Sequence, residues 1–468
     1  MPPVLNFGGN MKNTSTIAAI STAFVNAAIG VVRLSGPESI SIADRVFKTK
    51  RVKSLHEASP NTAIYGLITD AEGELIDSCI CTIFREPHSY TGEDMVEFSC
   101  HGNTIVLTRV LERLIECGAS PAGRGEFTKR AFLNGKMDLS QSEAVIDIIN
   151  AKSTLGAKEA FMQSSGTLRN RINDIRNKLL DIDSAVMAYV DFAAEGIEEP
   201  NTENIIKKTD DVRCKIEKLI SSYNTGIVIK EGIPAVICGK PNVGKSSLMN
   251  MLSGLEKSIV TEYAGTTRDI IRDYVQIDGI LFNISDTAGI RETEDKIEKI
   301  GVERAKAAAE RSEIMLCVFD GSQPLDQNDF TIIDLSKDKK AIAIINKSDL
   351  PQALDVNILN KNFSEIVSIS AKTGEGADIL TKKIKELALN DVVFDFNEPL
   401  IINLRHRDAL RHALEALDRV KEGLLSGLPA EVCELDIRET LSHLGEITGD
   451  TVTDDLIDRI FENFCVGK

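Results

Sequence analysis

The sequence predicts a multidomain α/β protein in which a P-loop domain is inserted into an α-helical domain and an α+β domain comes first. Three observations lead to this prediction. A P-loop pattern lies in the middle of the chain, two blocks with helical apolar periodicity flank it, and short strand-like runs fill the first part. With 468 residues, the chain is also too long for a single hydrophobic core.

The composition is that of an ordinary globular protein, with 43% hydrophobic and 27% charged residues. The formal net charge of −17 argues against a surface that binds nucleic acid everywhere, so any RNA would be held by a local basic patch or a basic partner. The nine cysteines form no C-x-x-C pair, which favours a reducing compartment over a disulfide framework or a zinc site. Neither a membrane-spanning apolar run nor a signal-peptide pattern is found, so we expect a cytoplasmic protein.

We expect the α+β domain over residues 13–131, after an N-terminal tail of residues 1–12 in which Met11 is a second candidate start. Two apolar stretches with helical spacing predict helices near 38–47 and 105–117. Apolar runs between turn signals predict strands at 16–20, 29–34, 63–68, 75–83 and 95–99.

Two pairs of side chains in this domain could suggest metal chemistry. Cys79 and Cys81 share one face of a predicted strand, which is typical of core residues. His88 and His101 lack a second pair of ligands, so we interpret them as loop and strand-end residues.

Helical periodicity then defines the first part of the helical domain over 132–228 and the second part over 393–468. Neither part is long enough for a stable core of its own, so we expect one bundle around an inserted domain at 229–392. The apolar stripes behind this prediction are Leu168, Ile172, Ile175, Leu179, Ile182, Val186 and Tyr189; Ile205, Val212, Ile216, Leu219 and Tyr223; Leu410, Leu414, Leu417, Val420 and Leu424; and Val432, Leu435, Leu441 and Leu444.

The inserted domain opens with the pattern G-x-x-x-x-G-K-S at residues 239–246, after the apolar run 233–238 and before a helix-like stretch. The glycines let the backbone wrap a polyphosphate, and the loop N–H groups bind the anion. Lys245 is predicted to reach the β- and γ-phosphates, and Ser246 to hold Mg²⁺. Further along, Asp278-Gly279 between alternating runs predicts a hairpin, and hence one antiparallel strand in an otherwise parallel sheet.

Two later motifs identify the base as guanine. Asn346-Lys347-Ser348-Asp349 follows the apolar run 341–345, at the carboxyl end of a predicted strand, where α/β folds bind ligands. The Asp349 carboxylate can accept hydrogen bonds from both guanine N1–H and the exocyclic amine, a pair that adenine does not offer. Ser370-Ala371-Lys372 follows another apolar run and is expected to close over the base.

The switch motifs complete a P-loop GTPase (G) domain. Asp286-Thr287-Ala288-Gly289 ends a strand-like run, so Asp286 is predicted to support Mg²⁺ and Gly289 to donate its N–H to the γ-phosphate. Thr267, in Gly265-Thr266-Thr267-Arg268-Asp269, is the predicted switch ligand of Mg²⁺. The predicted GTP contacts are Asn242, Val243, Gly244, Lys245, Ser246, Ser247, Thr261, Thr266, Thr267, Asp286, Thr287, Ala288, Gly289, Asn346, Lys347, Asp349, Ser370, Ala371 and Lys372.

Four stretches resemble the MnmE/TrmE family of tRNA modification GTPases. They are Tyr90-Thr91-Gly92-Glu93-Asp94, the segment Ala131-Phe132-Leu133-Asn134-Gly135-Lys136, the P-loop with Asn242, and the terminal Cys465-Val466-Gly467-Lys468. The resemblance covers nearly the whole chain from about Asn13. A C-x-G-K end after a GTPase domain is specific to this family within its class.

The resemblance implies a homodimer whose chains contain a tetrahydrofolate-binding domain, a discontinuous helical domain and the inserted GTPase domain. With an FAD-containing partner subunit, in a heterotetramer, such proteins add a carboxymethylaminomethyl or aminomethyl group to C5 of the wobble uridine of certain tRNAs. The one-carbon donor is a tetrahydrofolate derivative, in the 5,10-methylene or 5-formyl form.

The resemblance also assigns the folate contacts, to Arg33, Glu97, Lys136 and Lys468. Cationic groups suit the carboxylate tail of a folate, and a carboxylate suits the donors of its pterin edge. Cys465 is a candidate for the one-carbon chemistry, with an ordinary terminal cysteine as the alternative. Two segments depart from the family pattern: 23–28 replaces a Pro/Gly-rich turn, and 124–127 reads Arg-Gly-Glu-Phe instead of Pro-Gly-Glu-Phe.

Catalysis must differ from that of many small GTPases, because Ile290 stands where they have a water-orienting glutamine. The resemblance nominates Glu298 for this role, beside Lys245. No arginine finger is evident, and the Asn242 side-chain oxygen suggests K⁺ beside the phosphates as its substitute. The remaining K⁺ ligands would come from the switch loop, at Thr261, Tyr263 and Thr266.

Two other functions stay open at this point. A ribosome-assembly GTPase would be an RNA-binding switch without covalent chemistry, and would share the GTP motifs. It should carry a basic RNA-binding module beside the GTPase domain, and the sequence has none there. A purely structural scaffold would leave the GTP motifs unexplained.

Overall fold

The computed structural model contains two compact units. The first comprises residues 15–146 and 444–468, and the second comprises the described part of 147–443. Each unit is built around a β-sheet of its own. The residues that the structure describes are 15–192, 201–255, 273–277, 279–286, 309–389 and 398–468.

A seven-stranded sheet with strand order β3-β4-β5-β6-β2-β1-β7 forms the first unit. Its neighbouring strands pair antiparallel, except that β1 and β7 run parallel. The five predicted strands are confirmed, whereas the two-residue strands β3 and β7 are too short to leave a sequence signal. The strands are β1 (Ile17–Ile20), β2 (Ile29–Ser35), β3 (Phe47–Lys48), β4 (Ala63–Thr69), β5 (Leu75–Phe84), β6 (Met95–His101) and β7 (Ser120–Pro121).

Fifteen α-helices are described, some between the strands of the two sheets and others in the helical segments before and after the second sheet. Numbered in chain order, they are α1 (Ser39–Val46), α2 (Thr104–Glu116), α3 (Glu126–Leu133), α4 (Leu139–Asn150), α5 (Thr154–Ser164), α6 (Thr167–Phe192), α7 (Thr202–Ser221), α8 (Tyr223–Glu231), α9 (Lys245–Leu255), α10 (Gln327–Leu335), α11 (Val356–Asn360), α12 (Ala377–Leu389), α13 (Leu404–Leu425), α14 (Ala430–Thr448) and α15 (Asp454–Phe461).

The seven-stranded sheet has one packed face and one open face. Along β4, Ile64 and Ile68 are buried while Tyr65 and Leu67 are exposed, the alternation expected of an antiparallel sheet covered on one side. Helices α1 and α2 contribute to the core on the packed face. Cys79 and Cys81 lie in that core, as predicted.

A six-stranded sheet with order β13-β12-β11-β8-β10-β9 lies in the second unit. Every neighbouring pair is parallel except β9–β10, so the predicted antiparallel hairpin is confirmed. Burial of the central strands explains their continuous apolar runs. The strands are β8 (Ile233–Cys238), β9 (Asp273–Ile277), β10 (Ile280–Asp286), β11 (Ile314–Asp320), β12 (Lys340–Asn346) and β13 (Glu365–Ser368).

Helices from before and after this sheet pack against each other, as an inserted domain requires. Arg213 on α7 contacts Asp418 on α13 at 2.7 Å, and Lys421 on α13 contacts Asp210 on α7 at 2.6 Å. The predicted apolar stripes of α6, α7 and α13 supply the buried faces, except that Tyr189 and Leu414 are partly exposed and Tyr223 is a partly exposed residue of α8. The predicted fold class is confirmed, while the exact domain boundaries stay predictions.

The predicted apolar stripe of α14 was partly wrong. Val432 and Leu435 are 54% and 75% exposed, whereas Cys433 and Ile437 are buried. Cys433, Ile437, Thr440 and Leu444 recur at four, three and four residues, and this competing stripe is the one that packs. Leu444 belongs to both stripes and is buried.

His101 ends β6 with its Nδ1 atom 2.7 Å from the largely buried carboxylate of Asp77. Within the described ranges, no cluster of three or more His, Cys, Asp or Glu side chains is arranged to hold a metal ion. Nor does any helix in those ranges combine the length and apolarity needed to cross a membrane.

Candidate nucleotide and folate sites

The P-loop joins the buried strand β8 to the first turn of α9, at Lys245. Its two glycines are required by close approaches. A Cβ atom on Gly239 would lie 2.7 Å from the Val318 carbonyl oxygen, and one on Gly244 would lie 2.2 Å from the Asn346 side-chain amide. Gly244 also has a φ of +97°, which favours glycine.

The two lysines of this loop, Lys240 and Lys245, make different contacts. The Lys245 ammonium donates to the carbonyl oxygens of Gly239 and Lys240, at 2.8 and 2.9 Å, so its charge lies within the loop. The Lys240 ammonium instead bonds Asp326 and Asp329 at the start of α10, at 2.9 and 2.8 Å. The hydrogen bond from Lys240 lowers the pKa of the Asp326 carboxyl. This anchor was not predicted from the sequence.

Asn346 connects the phosphate loop to the base-recognition loop. Its buried amide donates to the Val243 carbonyl oxygen at 2.7 Å and accepts from the Ala371 N–H at 2.9 Å. The Ser370 hydroxyl in turn donates to the Asp349 carboxylate at 2.8 Å. The structure therefore brings three separately predicted motifs together in one hydrogen-bonded network.

Lys347 is held by a partner that the sequence reading missed. Its ammonium lies 2.6 Å from the carboxylate of Asp320, the last residue of β11. Burial raises the pKa of the Asp320 carboxyl, but hydrogen bonds from Lys347 and Ser322 outweigh it and hold the pKa below its usual range. An acidic residue directly after the apolar run 314–319 was the available signal, since strand ends line such sites.

The remaining residues predicted to bind GTP or K⁺ or to orient the attacking water fall into three groups. Asn242, Ser246 and Ser247 are exposed around the loop, and Lys372 is exposed after Ala371. Asp286 ends β10, paired in register with Ile237 on β8. Outside the described residues lie Thr261, Tyr263, Thr266, Thr267, Thr287, Ala288, Gly289 and Glu298.

The predicted folate residues Arg33 and Glu97 are cross-strand neighbours on β2 and β6. The Arg33 Nε atom lies 2.8 Å from a Glu97 carboxylate oxygen, and another guanidinium nitrogen donates to the Gly467 carbonyl oxygen at 3.3 Å. The rings of Tyr90 and Phe127 lie 5.6 and 5.5 Å from the guanidinium carbon, which is within cation–π range.

The C-terminal residues are fixed against the start of α3. The Phe127 N–H donates to the Lys468 carbonyl oxygen at 3.1 Å, and Val466 forms an antiparallel bridge with Arg124. Gly467 has a φ of +94°, and a Cβ atom there would lie 2.4 Å from the Ile20 carbonyl oxygen. A residue other than glycine at position 467 would therefore clash with the backbone at the end of β1.

Lys468 shares this neighbourhood, while Lys136 has separate contacts. Burial and the nearby Arg33 guanidinium lower the pKa of the Lys468 ammonium, with Glu97 acting in the opposite direction. The Lys136 ammonium donates to the Pro87 carbonyl oxygen at 2.8 Å. The Cys465 side chain is exposed, and its carbonyl oxygen accepts from the Gly125 N–H at 3.3 Å.

Comparison with known proteins decides the family. Residues 16–136 match the family model described as the GTP-binding protein TrmE N-terminus, and residues 139–465 match the MnmE helical domain. The tRNA modification GTPase MnmE of Carboxydothermus hydrogenoformans is 43% identical over 97% of this chain and 99% of its own length. That of Alkaliphilus metalliredigens is 41% identical, with the same two coverages of 97% and 99%.

The chain belongs to the MnmE family of tRNA modification GTPases. The family named from the sequence is thereby confirmed. Among solved structures, Era of Aquifex aeolicus bound to GDP and AlF₄⁻ is 31% identical, with a TM-score of 0.26, over 39% of this chain and 65% of its own. Membership of the MnmE family favours tRNA modification over the ribosome-assembly alternative.

Proposed function

We propose that this chain hydrolyses GTP to drive the addition of a carboxymethylaminomethyl or aminomethyl group to C5 of the wobble uridine of tRNA. The GTPase half rests on one observation above all. Asn346 bonds both the P-loop, at Val243, and the base-recognition loop, at Ala371. The Asn346 side chain therefore fixes the distance between the loop assigned to the triphosphate and the loop assigned to guanine.

Guanine recognition is assigned to Asp349. The Ser370 hydroxyl bonds one of its carboxylate oxygens and so limits the rotation of the side chain. A carboxylate fixed in this way can accept from guanine N1–H and the exocyclic amine together, which explains a preference for GTP over ATP. Lys245 and the N-terminus of α9 would bind the phosphates, and Ser246, with Thr267, would hold Mg²⁺.

Hydrolysis is assigned to Glu298 and to a potassium ion. Asn242 is exposed on the P-loop, two residues before Gly244, and has a φ of +63°. With Thr261, Tyr263 and Thr266 it would bind K⁺, whose charge would neutralise the charge developing in the transition state. Glu298 would orient the attacking water. Lys245 would contribute electrostatic stabilisation.

The one-carbon donor is proposed to be a tetrahydrofolate derivative bound in the first unit. The residues there fit such a ligand, because Arg33 and Lys468 supply cations and Glu97 supplies an acceptor within one neighbourhood. Lys136 would act from its position on Pro87. A folate supplies a one-carbon unit when bound. Cys465 is exposed in the same terminal segment and is the candidate for a role in the one-carbon chemistry.

The proposed reaction also requires partner molecules. We propose a homodimer that joins an FAD-containing subunit in a heterotetramer and acts on tRNA. An apolar patch supports pairing of two copies: Phe24, Val25, Ile29 and Ile105 are each more than half exposed. All nine cysteines are described and none is in a disulfide, which supports a cytoplasmic location.

The test is complementation of a bacterial strain that lacks its own gene of this family. Mass spectrometry of tRNA nucleosides should detect the C5-modified wobble uridine when the wild-type chain is expressed. The Lys245→Ala variant should not restore it, because the phosphate-binding cation is removed. An unmodified uridine with the wild-type chain, together with altered ribosome profiles, would favour the ribosome-assembly alternative.

A further inference from the structure

A cationic segment projects from one edge of the seven-stranded sheet. Four of the six residues from Lys48 to Lys53 are basic, namely Lys48, Lys50, Arg51 and Lys53. All four are exposed. In a chain with a net charge of −17, such a run is the kind of local basic patch that a polyanion would require.

These charges are not neutralised by neighbouring side chains. Within the described ranges, none of the four side chains forms an ion pair with a carboxylate. Lysines elsewhere behave differently: Lys178 on α6 bonds Asp211 at 2.5 Å, and Lys215 on α7 bonds Asp174 at 2.6 Å. An unpaired cluster repels itself, so an anionic partner that neutralises it would gain binding energy.

The segment is held in place rather than free. Lys48 pairs in register with Leu67 on β4, and the Arg51 guanidinium donates to the Ala63 carbonyl oxygen at 3.0 Å. At its far end, the Asp44 carboxylate accepts from the Ser54 hydroxyl at 2.9 Å and from the Leu55 N–H at 2.7 Å. Because the backbone is fixed at both ends, the entropic cost of ordering it is smaller when a partner binds.

An exposed aromatic residue lies on β4, the strand that pairs with Lys48. Tyr65 on β4 is 67% exposed, and its carbonyl oxygen accepts from the Thr49 hydroxyl at 2.8 Å. Cations that contact phosphates, next to an exposed ring that can stack on an unpaired base, are the combination that proteins use for RNA. An acidic protein would use the charges but has no unpaired base for the ring.

We infer that Lys48, Lys50, Arg51 and Lys53, with Tyr65, form a docking surface for the phosphate backbone and an unpaired base of tRNA. This inference rests on the proposed function, which makes tRNA the substrate, and it adds the place where tRNA is held. The four cations bind phosphates without reading sequence. Tyr65 stacks on a base.

The experiment uses full-length protein and a fluorescently labelled synthetic tRNA with uridine at the wobble position. Binding is measured by anisotropy between about 50 and 200 mM salt, the range over which phosphate binding weakens. The test variant is K48Q/K50Q/K53Q, which leaves the Arg51 bond to Ala63 intact. The matched control, K207Q/K361Q/K382Q, removes the same charge from three exposed lysines, on α7, directly after α11 and on α12.

The test variant should bind tRNA at least about 10-fold more weakly at low salt. Its salt slope should flatten by about 0.9 for each phosphate that the variant no longer neutralises. The control should stay within about 3-fold of wild type, because Coulomb effects of distant charges are screened. The charge-preserving K48R/K50R/K53R variant should bind normally. GTP hydrolysis without tRNA should be unchanged in all three variants. A melting curve of each variant should match that of the wild-type chain, which verifies that both units are folded.

Tyr65→Ala should weaken binding about 5-fold or more with an unchanged salt slope, since stacking releases no counterions. Equal reductions of affinity in the test and control variants, or no reduction in either, would overturn the docking surface alone. A test variant that keeps its tRNA affinity but no longer binds the FAD-containing partner would overturn it in favour of an acidic protein. A wild-type chain that binds no tRNA at any salt concentration would instead reject the proposed function.

Discussion

At the scale of single residues, the nucleotide site depends on side chains that hold other side chains. Asn346 contacts the P-loop and the base loop, Ser370 contacts Asp349, and Asp320 contacts Lys347. None of these bonds is made to a nucleotide, yet each fixes a group that is assigned to contact one. The affinity for a guanine nucleotide is therefore expected to depend on the supporting hydroxyl as well as on the carboxylate.

Asp349→Asn should weaken GTP binding by about 10- to 100-fold, the usual effect of losing hydrogen bonds to a charged group. It should also shift preference towards xanthosine nucleotides, because an amide can donate where the carboxylate accepted. Ser370→Ala is the matched control: it removes the bond to Asp349 but keeps the acceptor, so affinity should fall without a change in specificity. Competition between GTP, XTP and ATP measures both effects, and an unchanged guanine preference in Asp349→Asn would contradict the assignment.

Substitutions of Asn242 and Glu298 are expected to affect different steps. Loss of Asn242 should impair assembly of the catalytic site, and loss of Glu298 should impair the chemical step. Wild-type hydrolysis should be faster in K⁺ than in Na⁺ at equal ionic strength, and Asn242→Ala should remove that difference while GTP still binds through Lys245. Glu298→Ala should keep the dependence on K⁺ but lose about 10²-fold in turnover. Equal wild-type rates in the two salts would refute the cation role. A normal rate in Glu298→Ala would refute the water-positioning role.

At the scale of helices and strands, local signals predicted most of the architecture. The Asp278-Gly279 hairpin and the strand before the P-loop are examples, because each depends on a few adjacent residues. Interactions between distant positions left no such trace. The bond of Lys240 to Asp329 and the docking of Lys468 on α3 depend on which surfaces meet, and apolar periodicity does not encode that. The same limit explains why the predicted apolar stripe of α14 was partly wrong, because two sets of its residues have helical spacing.

One buried carboxyl connects α5 to the segment that returns from the inserted domain. Glu159 is 8% exposed and accepts a hydrogen bond from the Leu400 N–H at 3.3 Å. It lines a cavity of about 340 Å³ together with Lys152, whose ammonium lies 3.8 Å from the Tyr274 ring centre. Burial raises the pKa of the Glu159 carboxyl, which the hydrogen bond from Leu400 only partly offsets.

Glu159 should therefore make the second unit less stable as pH rises. The folded state holds the proton more tightly than the unfolded state, so the contribution is fully present below the ordinary pKa of 4.5 and is lost as pH rises through the higher folded value. Glu159→Gln keeps an oxygen for Leu400 and cannot ionise, so it should raise the unfolding temperature at pH 7 and have little effect at pH 4. The exposed Glu415→Gln on α13 is the control. If Glu159→Gln does not raise the unfolding temperature more at pH 7 than at pH 4, this explanation is contradicted.

At the scale of the whole molecule, the residues assigned to the two chemistries lie in two different compact units. The nucleotide network lies within residues 147–443, whereas Arg33, Glu97, Lys136 and the terminal segment lie in the unit of 15–146 and 444–468. The C-x-G-K residues at the end of the chain lie in the same unit as β1 and are fixed against the start of α3. Substitutions in one unit are therefore expected to leave the basal chemistry of the other intact.

Arg33→Ala and Lys136→Ala should each weaken binding of 5-formyltetrahydrofolate by about 10-fold or more, since each removes a charged hydrogen-bond donor. GTP hydrolysis should change little. Arg109→Ala is the matched control, because Arg109 is an exposed cation of the same unit that pairs only with Asp70 among the residues described. Titration calorimetry measures the folate affinity. A melting curve checks that the sheet stays folded when Arg33 is replaced and the Glu97 carboxylate has lost its ion pair.

The wild-type titration is also a test of the two segments that depart from the family pattern. Residues 23–28 lie against Gly102 through the Ala27 N–H, and Arg124 bridges Val466 beside the bond of Arg33 to Gly467. Both segments thus keep their backbone contacts without the proline or the glycines of the family pattern, so folate binding should survive. Wild-type protein that releases no heat with the folate would show that these changes have removed the site. Binding that is equal in wild type and Arg33→Ala would place the ligand elsewhere.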